Sequence, residues 1–592
     1  MQSLATSVGL SPLGSPVDRD ASFWTRHANQ IAWAFVVVGV AARLIRYLLR
    51  FPLWGDEYML AENLLYRDYA GLFQPLDHCQ VAPILYLLLE MTSVKLVGFN
   101  EWGLRFVAAV SGIASVFLFR HLAARLLRGV PMMLAVGIFA VSYYPIRHSA
   151  EVKPYGSDCF AALVLLVLAV EWLHSRPNVR WLWALALATP PVIGLSFPAL
   201  FVAGGVSLAL LVTVWRSSCR RTWIAYGAYH VALLGAFAVT FWLSTGAQQA
   251  TLGAEMRDHW RLSFPPSITE PGNWALWMLN AHTGEMFAYP VGGDAGGSVI
   301  PALLVLLGAI VLWRKGERSF VIATAGTLAL AFIAACLKRY PYGDNERLVQ
   351  YVAPLACTLA GLGAATAISA AWWAWARRGW LATATSLLAV VGFGMIGRDL
   401  THPYKYWRDW YHQGFARWFW NQNPADGEMV CVHSDLGRSF TPEHDTSGYF
   451  CYQRIYSPRH HHATLREPIV PPTGKPIRCV VFGYEFESRD EQALNRWLAE
   501  MSSTYDLAGH QSYKVLIDPD EHQDVYGVYE VYRFVPKQSP TPAIQQAKIT
   551  TQKSASYSRK RSTRPTSARA RPSRPFGSPV AWQSRSARGR GW

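Results

Sequence analysis

Charge is scarce in this sequence. Asp, Glu, Lys and Arg make up 16% of its 592 residues, against about a quarter in an ordinary soluble domain, which argues against a conventional soluble globule. Cysteine is sparse as well. The eight present include no CxxC pair and no Cys/His ligand spacing, so no structural zinc site is written into the chain. No nucleotide-binding motif and no internal inverted repeat is visible. The first apolar run continues into an Arg-bearing helix without a small-residue cleavage site, so it reads as an uncleaved first span.

Acidic residues are missing from one region altogether. From Lys537 to the end there are thirteen Lys or Arg and no Asp or Glu, so most of the formal charge of +16 sits there. This Ser-, Pro-, Thr- and Arg-rich segment, residues 536–592, lacks the apolar residues needed to offset folding entropy and reads as a disordered basic tail. Such a tail fits anionic lipid or envelope polymers. Without an aromatic-interleaved module it does not point to specific nucleic-acid recognition.

What is abundant is apolar sequence. Half the chain is hydrophobic, in runs of about twenty residues, each able to cross a core of about 30 Å. The pattern predicts a polytopic α-helical membrane protein with about eleven spans, the first over 31–53 and the last over 380–397. Residues 180–193 and 196–214 form either two short spans or one span broken at Pro190, Pro191 and Pro198. Basic loops, such as Arg120–Arg125–Arg128 and Arg314–Lys315–Arg318, fall on one side, and the positive-inside rule makes that side the cytoplasm. The expected layout is a cytoplasmic segment 1–30, a membrane domain 31–400, an extracytoplasmic α/β domain 401–535 and the tail. The location implied is a bacterial inner membrane. In the outer domain GEMVCVHS, IRCVVFGYE and VYGVYEVYRFV read as strands and EQALNRWLAEM as a helix. Cys431, Cys451 and Cys479 fall there, where one disulfide plus a free thiol is open without a deducible pairing.

Four outer segments carry the candidate chemistry. Asp56-Glu57 follows the first span, close to Arg43, Arg46 and Arg50. Those arginines share one helical face and either look into the bundle or snorkel to the interface. Gln80-Val81-Ala82-Pro83 leads into 83–97, an interfacial helix rather than a span. Glu101 and Arg105, four apart, are expected to pair on one face. Lys153, before Pro154 and a helix start, supplies a cation for phosphate, with an ordinary polar turn as the alternative. Arg339 and Arg347 lie on a side where positive charge is normally avoided. Phosphate binding explains them, and so do internal ion pairs to Asp344 and Glu346.

In this order the segments resemble the bacterial GT-C superfamily, in particular the group related to protein mannosyltransferases and the lipid A aminoarabinose transferase. The resemblance rests on Asp56-Glu57, the Gln80-to-Pro83 stretch, Glu101-Trp102-Gly103-Leu104-Arg105, Glu151-Val152-Lys153-Pro154-Tyr155 and Arg339-Tyr340-Pro341 running to Arg347. It spans residues 30–400. It implies an inverting glycosyltransferase that takes a sugar from a polyprenyl-phosphate donor and passes it to a lipid, glycan or protein acceptor. Asp56 would then be the general base, with Glu57 orienting base or acceptor. Lys153, Arg347, Arg339, Arg50 and His282 would contact the donor's phosphate or sugar. Because such a donor carries no nucleotide, no nucleotide-binding fold is needed; some members use a divalent metal, and the sequence leaves that cofactor open. A transporter or flippase for lipid-linked glycans and a catalytically silent envelope scaffold are the competing classes.

Overall fold

A computed structural model describes residues 22–537, except 78–79, 176–177, 218, 247–259, 344, 372, 423–427, 434–461, 465–473, 485–490 and 517–524. The basic tail beyond Lys537, Cys451, Asp344 and Arg176 therefore lie outside the described residues.

The membrane part is a helical bundle. Its helices, in order, are α1 (Ser22–Leu48), α2 (Gly55–Tyr66), α3 (Ile84–Val97), α4 (Glu101–Leu126), α5 (Val130–Ala140), α6 (Tyr143–Arg147) and α7 (Tyr155–His174). They continue with α8 (Arg180–Leu195), α9 (Ala199–Trp215), α10 (Arg220–Thr240), α11 (Pro271–Thr283), α12 (Val299–Arg314), α13 (Arg318–Cys336), α14 (Ala353–Ser369) and α15 (Ala374–Thr401). Seven of the described helices are long and apolar enough to cross a membrane, and the α5–α6 pair, bent by 51°, makes an eighth if it is one span. Helices α9 and α12 are apolar but shorter. Each of the eleven expected spans coincides with a helix or with that bent pair. The 180–215 segment is two helices, parted between Leu195 and Ala199. Pro190 and Pro191 sit within α8 without ending it.

Packing between spans uses small residues, since lipid supplies no hydrophobic drive for helix association. A Cβ added to Gly308 on α12 would lie 2.0 Å from the Leu359 carbonyl oxygen of α14. One added to Gly363 on α14 would lie 2.0 Å from that of Leu304 on α12. Glycine at both positions is what lets these two backbones touch.

The arginine stripe of α1 turns inward for two of its three members. Arg43 is buried and donates to the carbonyls of Gly39 and Ala140 at 2.9 and 3.1 Å. Arg46 holds Asp399 of α15 through two bonds of 2.7 and 2.8 Å. Both are paired inside protein because an isolated guanidinium facing hydrocarbon is costly.

Beyond α15 the chain makes α16 (Trp407–Trp420) and then a mixed five-stranded sheet of order β2-β1-β3-β5-β4. Its strands are β1 (Met429–His433), β2 (His462–Thr464), β3 (Ile477–Tyr484), β4 (Tyr505–Leu516) and β5 (Val525–Pro536). The pairs β1–β2 and β1–β3 are parallel, while β3–β5 and β4–β5 are antiparallel. Helix α17 (Glu491–Thr504) buries Trp497 and Met501 against one face. Phe415 and Phe419 of α16 cover the other, with the Phe415 ring stacked on Tyr529 at 3.9 Å. Within the parallel β1–β3 pair, Cys431 stands opposite Cys479.

Candidate functional site

The site is built where the chain leaves α1. Trp54 precedes α2 in extended conformation, and its backbone N–H donates to the Glu57 carboxylate at 3.3 Å. That contact fixes the start of the helix, and the helix dipole favours acidic residues in the first turn. Asp56 and Glu57, adjacent there, then part company.

Glu57 turns into the protein. It takes two bonds from Arg105 of α4, at 3.0 and 2.7 Å, and one from the Val152 backbone N–H at 2.7 Å. Arg105 spends its remaining donors on the carbonyls of Phe51 and Pro52. Both side chains are almost fully buried. The expected Glu101–Arg105 pair is therefore not the one that forms. Arg105 sits between Glu57 and the backbone turn after α1, and a single buried guanidinium can satisfy its donors there without Glu101. Glu101 instead accepts from Arg50 at 2.7 Å and from Gln413 of α16 at 2.8 Å.

Asp56 keeps a partly open position, with 24% of its side chain exposed. Lys153 Nζ donates to one oxygen at 2.8 Å and Arg347 Nη1 to the other at 2.9 Å. Lys153 also donates to the Gln80 amide oxygen. Arg347 is braced by the Asn345 side chain at 3.0 Å, and its guanidinium faces the rings of Trp54 and Trp260 at 5.5 and 5.6 Å. Burial pushes the Asp56 carboxyl up, but Lys153 and Arg347 outweigh it and hold the group below its ordinary 3.8. It is ionised at neutral pH.

A second ion cluster ties together two more of the segments singled out from the sequence. Glu151 accepts from Arg147 and from His148, both at 2.8 Å, and Arg147 reaches Glu346 at 3.3 Å. Burial raises the Glu151 carboxyl, yet His148 and Arg147 hold it well below the usual range. Segments 147–153 and 346–347 are thus joined directly by Arg147–Glu346 and indirectly through Asp56, which both Lys153 and Arg347 contact. Lys153 lies just ahead of α7, which starts at Tyr155.

Three of the seven residues singled out from the sequence meet at one point: Asp56, Lys153 and Arg347. Glu57 is next to them but faces Arg105. Arg50 is committed to Glu101, and Arg339 is exposed after α13. His282 bonds the Met278 carbonyl through Nδ1 at 2.8 Å and the Tyr342 hydroxyl through Nε2 at 3.2 Å. Neither Arg50 nor His282 joins the Asp56 contact. Residues 147 and 346 pair across loops, where pairing within the 338–347 loop was one expectation. Sequence reasoning gave Trp54, the neighbour of the acidic pair, no role of its own and missed Trp260 and Lys405, whose Nζ lies 3.3 Å from the Trp54 ring centroid. Gln80 lay in a flagged stretch without a role. A lysine among aromatics at 404–407 carries no signal by itself.

Among the described residues no three His, Cys, Asp or Glu side chains group as metal ligands. Both oxygens of Asp56 face cations, and a divalent ion would have to displace them. The donor set around Asp56 does not fit such an ion.

No family model and no curated protein matches the sequence. Among solved structures, the chain is similar to ArnT from Cupriavidus metallidurans bound to undecaprenyl phosphate. Identity there is 13% and the TM-score 0.44, covering 84% of this chain and 97% of that one. It is also similar to the Archaeoglobus fulgidus oligosaccharyltransferase in the apo form, at 12% identity and TM-score 0.41, covering 88% and 76%. That oligosaccharyltransferase with Zn and sulfate matches at 12% identity and TM-score 0.38, covering 83% and 73%.

Proposed function

We propose that the chain is a membrane glycosyltransferase that moves a sugar from a polyprenyl-phosphate donor to an acceptor hydroxyl on the extracytoplasmic side, with inversion. One observation carries this reading: a partly open carboxylate, Asp56, held between Lys153 and Arg347 at the end of a helical bundle. Two cations on one acid supply positive charge that a phosphate can take over.

In the proposed reaction the donor phosphate draws Lys153 and Arg347 towards itself. Asp56 loses part of the field that depresses its pKa and becomes a better base. It accepts the acceptor's hydroxyl proton as the oxygen attacks the anomeric carbon. The bond from that carbon to the phosphate oxygen breaks, its electron pair stays with the phosphate, and polyprenyl phosphate leaves. Lys153 and Arg347 stabilise the charge that gathers there.

The deciding experiment is a mass comparison of envelope glycans and glycoproteins from cells making the wild-type chain or Asp56→Asn at equal membrane levels. The reading requires a hexose or pentose increment that vanishes in the variant. An increment that persists removes Asp56 from the chemistry.

A further inference from the structure

The cations around the site differ in what opposes them. Lys153 and Arg347 share Asp56, Arg147 lies between Glu151 and Glu346, and Arg105 holds Glu57. Lys405 has no such partner. It sits on the short connection between α15 and α16, and among the described residues no carboxylate lies within ion-pair distance of it. Its Nζ rests 3.3 Å from the centroid of the Trp54 ring, which Arg347 also faces at 5.5 Å. Asp409, in the first turn of α16, is the acid nearest along the chain. Burial pushes Asp409 up to about 7, and its side chain lies 3.9 Å from Arg408.

Leaving an ammonium largely buried beside two guanidinium groups is unfavourable. Burial first, then Arg147 and Arg347, push Lys405 down to about 8, against the more distant pull of Glu151 and Glu57, neither of which is within ion-pair distance. The Trp54 face returns some of that cost through a cation–π contact. Counted as ionised, the cluster's cations exceed its carboxylates by one, and Lys405 is the excess. A phosphodiester carries a single negative charge, which is the charge the cluster lacks.

We propose that Lys405 is a donor-binding residue: the cation kept without a carboxylate so that it can pair with the phosphate of a monophosphate-linked lipid. The assignment rests on the glycosyl-transfer reading and deepens it. Through the reaction the balance holds. When the bond to the anomeric carbon breaks, the phosphate changes from a monoanionic diester towards a dianionic monoester. Asp56, having taken the acceptor's proton, frees one positive charge at the same moment. A diphosphate-linked donor would carry a further negative charge that the described cluster does not match. Because Lys405 stands directly before α16, the segment entering the outer domain completes the site.

The experiment measures lipid binding to the full-length protein in detergent, by native mass spectrometry, with undecaprenyl phosphate as probe and phosphatidylglycerol as a phosphodiester reference. Wild type, Lys405→Met and Lys405→Arg are compared. Lys405→Met should weaken undecaprenyl phosphate by about tenfold or more, as loss of a charge-assisted phosphate contact does. Lys405→Arg should stay close to wild type, and phosphatidylglycerol should bind all three alike. Unchanged undecaprenyl phosphate binding by Lys405→Met overturns the assignment and leaves the proposed function standing. An equal loss for both lipids makes Lys405 a general lipid anchor and also overturns it. A wild-type protein that does not prefer undecaprenyl phosphate over phosphatidylglycerol overturns the assignment together with the function on which it rests.

Discussion

The backbone N–H of Val152 donates to the Glu57 carboxylate at 2.7 Å. Each of these residues is flanked by one that faces the site, since Asp56 precedes Glu57 and Lys153 follows Val152. A bond between the two inner residues therefore sets the separation of the two outer ones, and Asp56 meets Lys153 at 2.8 Å. Arg105 locks the arrangement from α4.

Glu57 is accordingly expected to be a positioning residue. Glu57→Gln leaves Arg105 buried without its counter-charge, a change that costs about 3–5 kcal/mol. Thermal unfolding in detergent should show a large fall in Tm, with sugar transfer lost in step with folded protein. A variant of unchanged Tm and no activity would instead make Glu57 part of the chemistry.

Asp56→Asn should behave in the opposite way. Removing a general base costs about 10²–10⁴-fold in rate, while the amide that replaces the carboxylate keeps an oxygen that can still accept from the buried Lys153 or from Arg347. The expected outcome is sugar transfer at least about 100-fold down in a protein that elutes like the wild type and melts moderately below it, by the stability that the ionised Asp56 contributes. Collapse of the fold would mean that the two ion pairs serve structure first.

The acid side of the stability profile follows from the depressed Asp56 carboxyl. A group whose folded pKa lies below its unfolded value contributes stability that is present above the unfolded value and lost as pH falls through the folded one. The Tm difference between wild type and Asp56→Asn should be flat at neutral pH. It should begin to change as pH drops below the ordinary value of 3.8. A difference that instead changes between pH about 6 and 8 would assign the titration to another group.

The C-terminal sheet domain is held to the bundle through Gln413. Its amide donates to the Arg50 carbonyl at 3.1 Å and to Glu101 at 2.8 Å, and Arg417 lies 3.7 Å from the same carboxylate. Gln413→Ala should cost about 1.5–3 kcal/mol at this contact, since one acceptor is charged. Limited proteolysis should then cut faster between residues 401 and 406, with the membrane part left intact. An unchanged cutting rate would show that Phe415 and the sheet hold the domain without this bond.

Arg46 and Asp399 offer a control remote from the chemistry. Asp399→Asn strands a buried guanidinium between α1 and α15, so Tm should fall by several degrees. The kinetics of the protein that remains folded should be those of the wild type.

Much of the fold was legible because membrane helices announce themselves. A chain with so little charge and so many long apolar runs has few alternatives to a bundle, and the expected runs coincide with helices. The C-terminal sheet domain was legible in part. β1, β3, β5 and α17 carry clear period-two or helical patterns. β4 was missed because YDLAGHQSYKVL mixes Gly, His and Ser into a strand that is exposed along much of its length. The three-residue β2 is too short to show a period.

For the site, the amino-acid order settled which residue types were available: an acidic pair after the first span and cations in later outer segments. Who meets whom was left to the tertiary structure. Glu101 and Arg105 sit one turn apart on a helix, yet each bonds elsewhere. A buried guanidinium goes where it finds both a carboxylate and free carbonyls, and those came from residues 51–57, far away in sequence. For the same reason the acid next to Glu57 was left partly open, between Lys153 and Arg347. Lys405 reached Trp54 through packing that no spacing encodes.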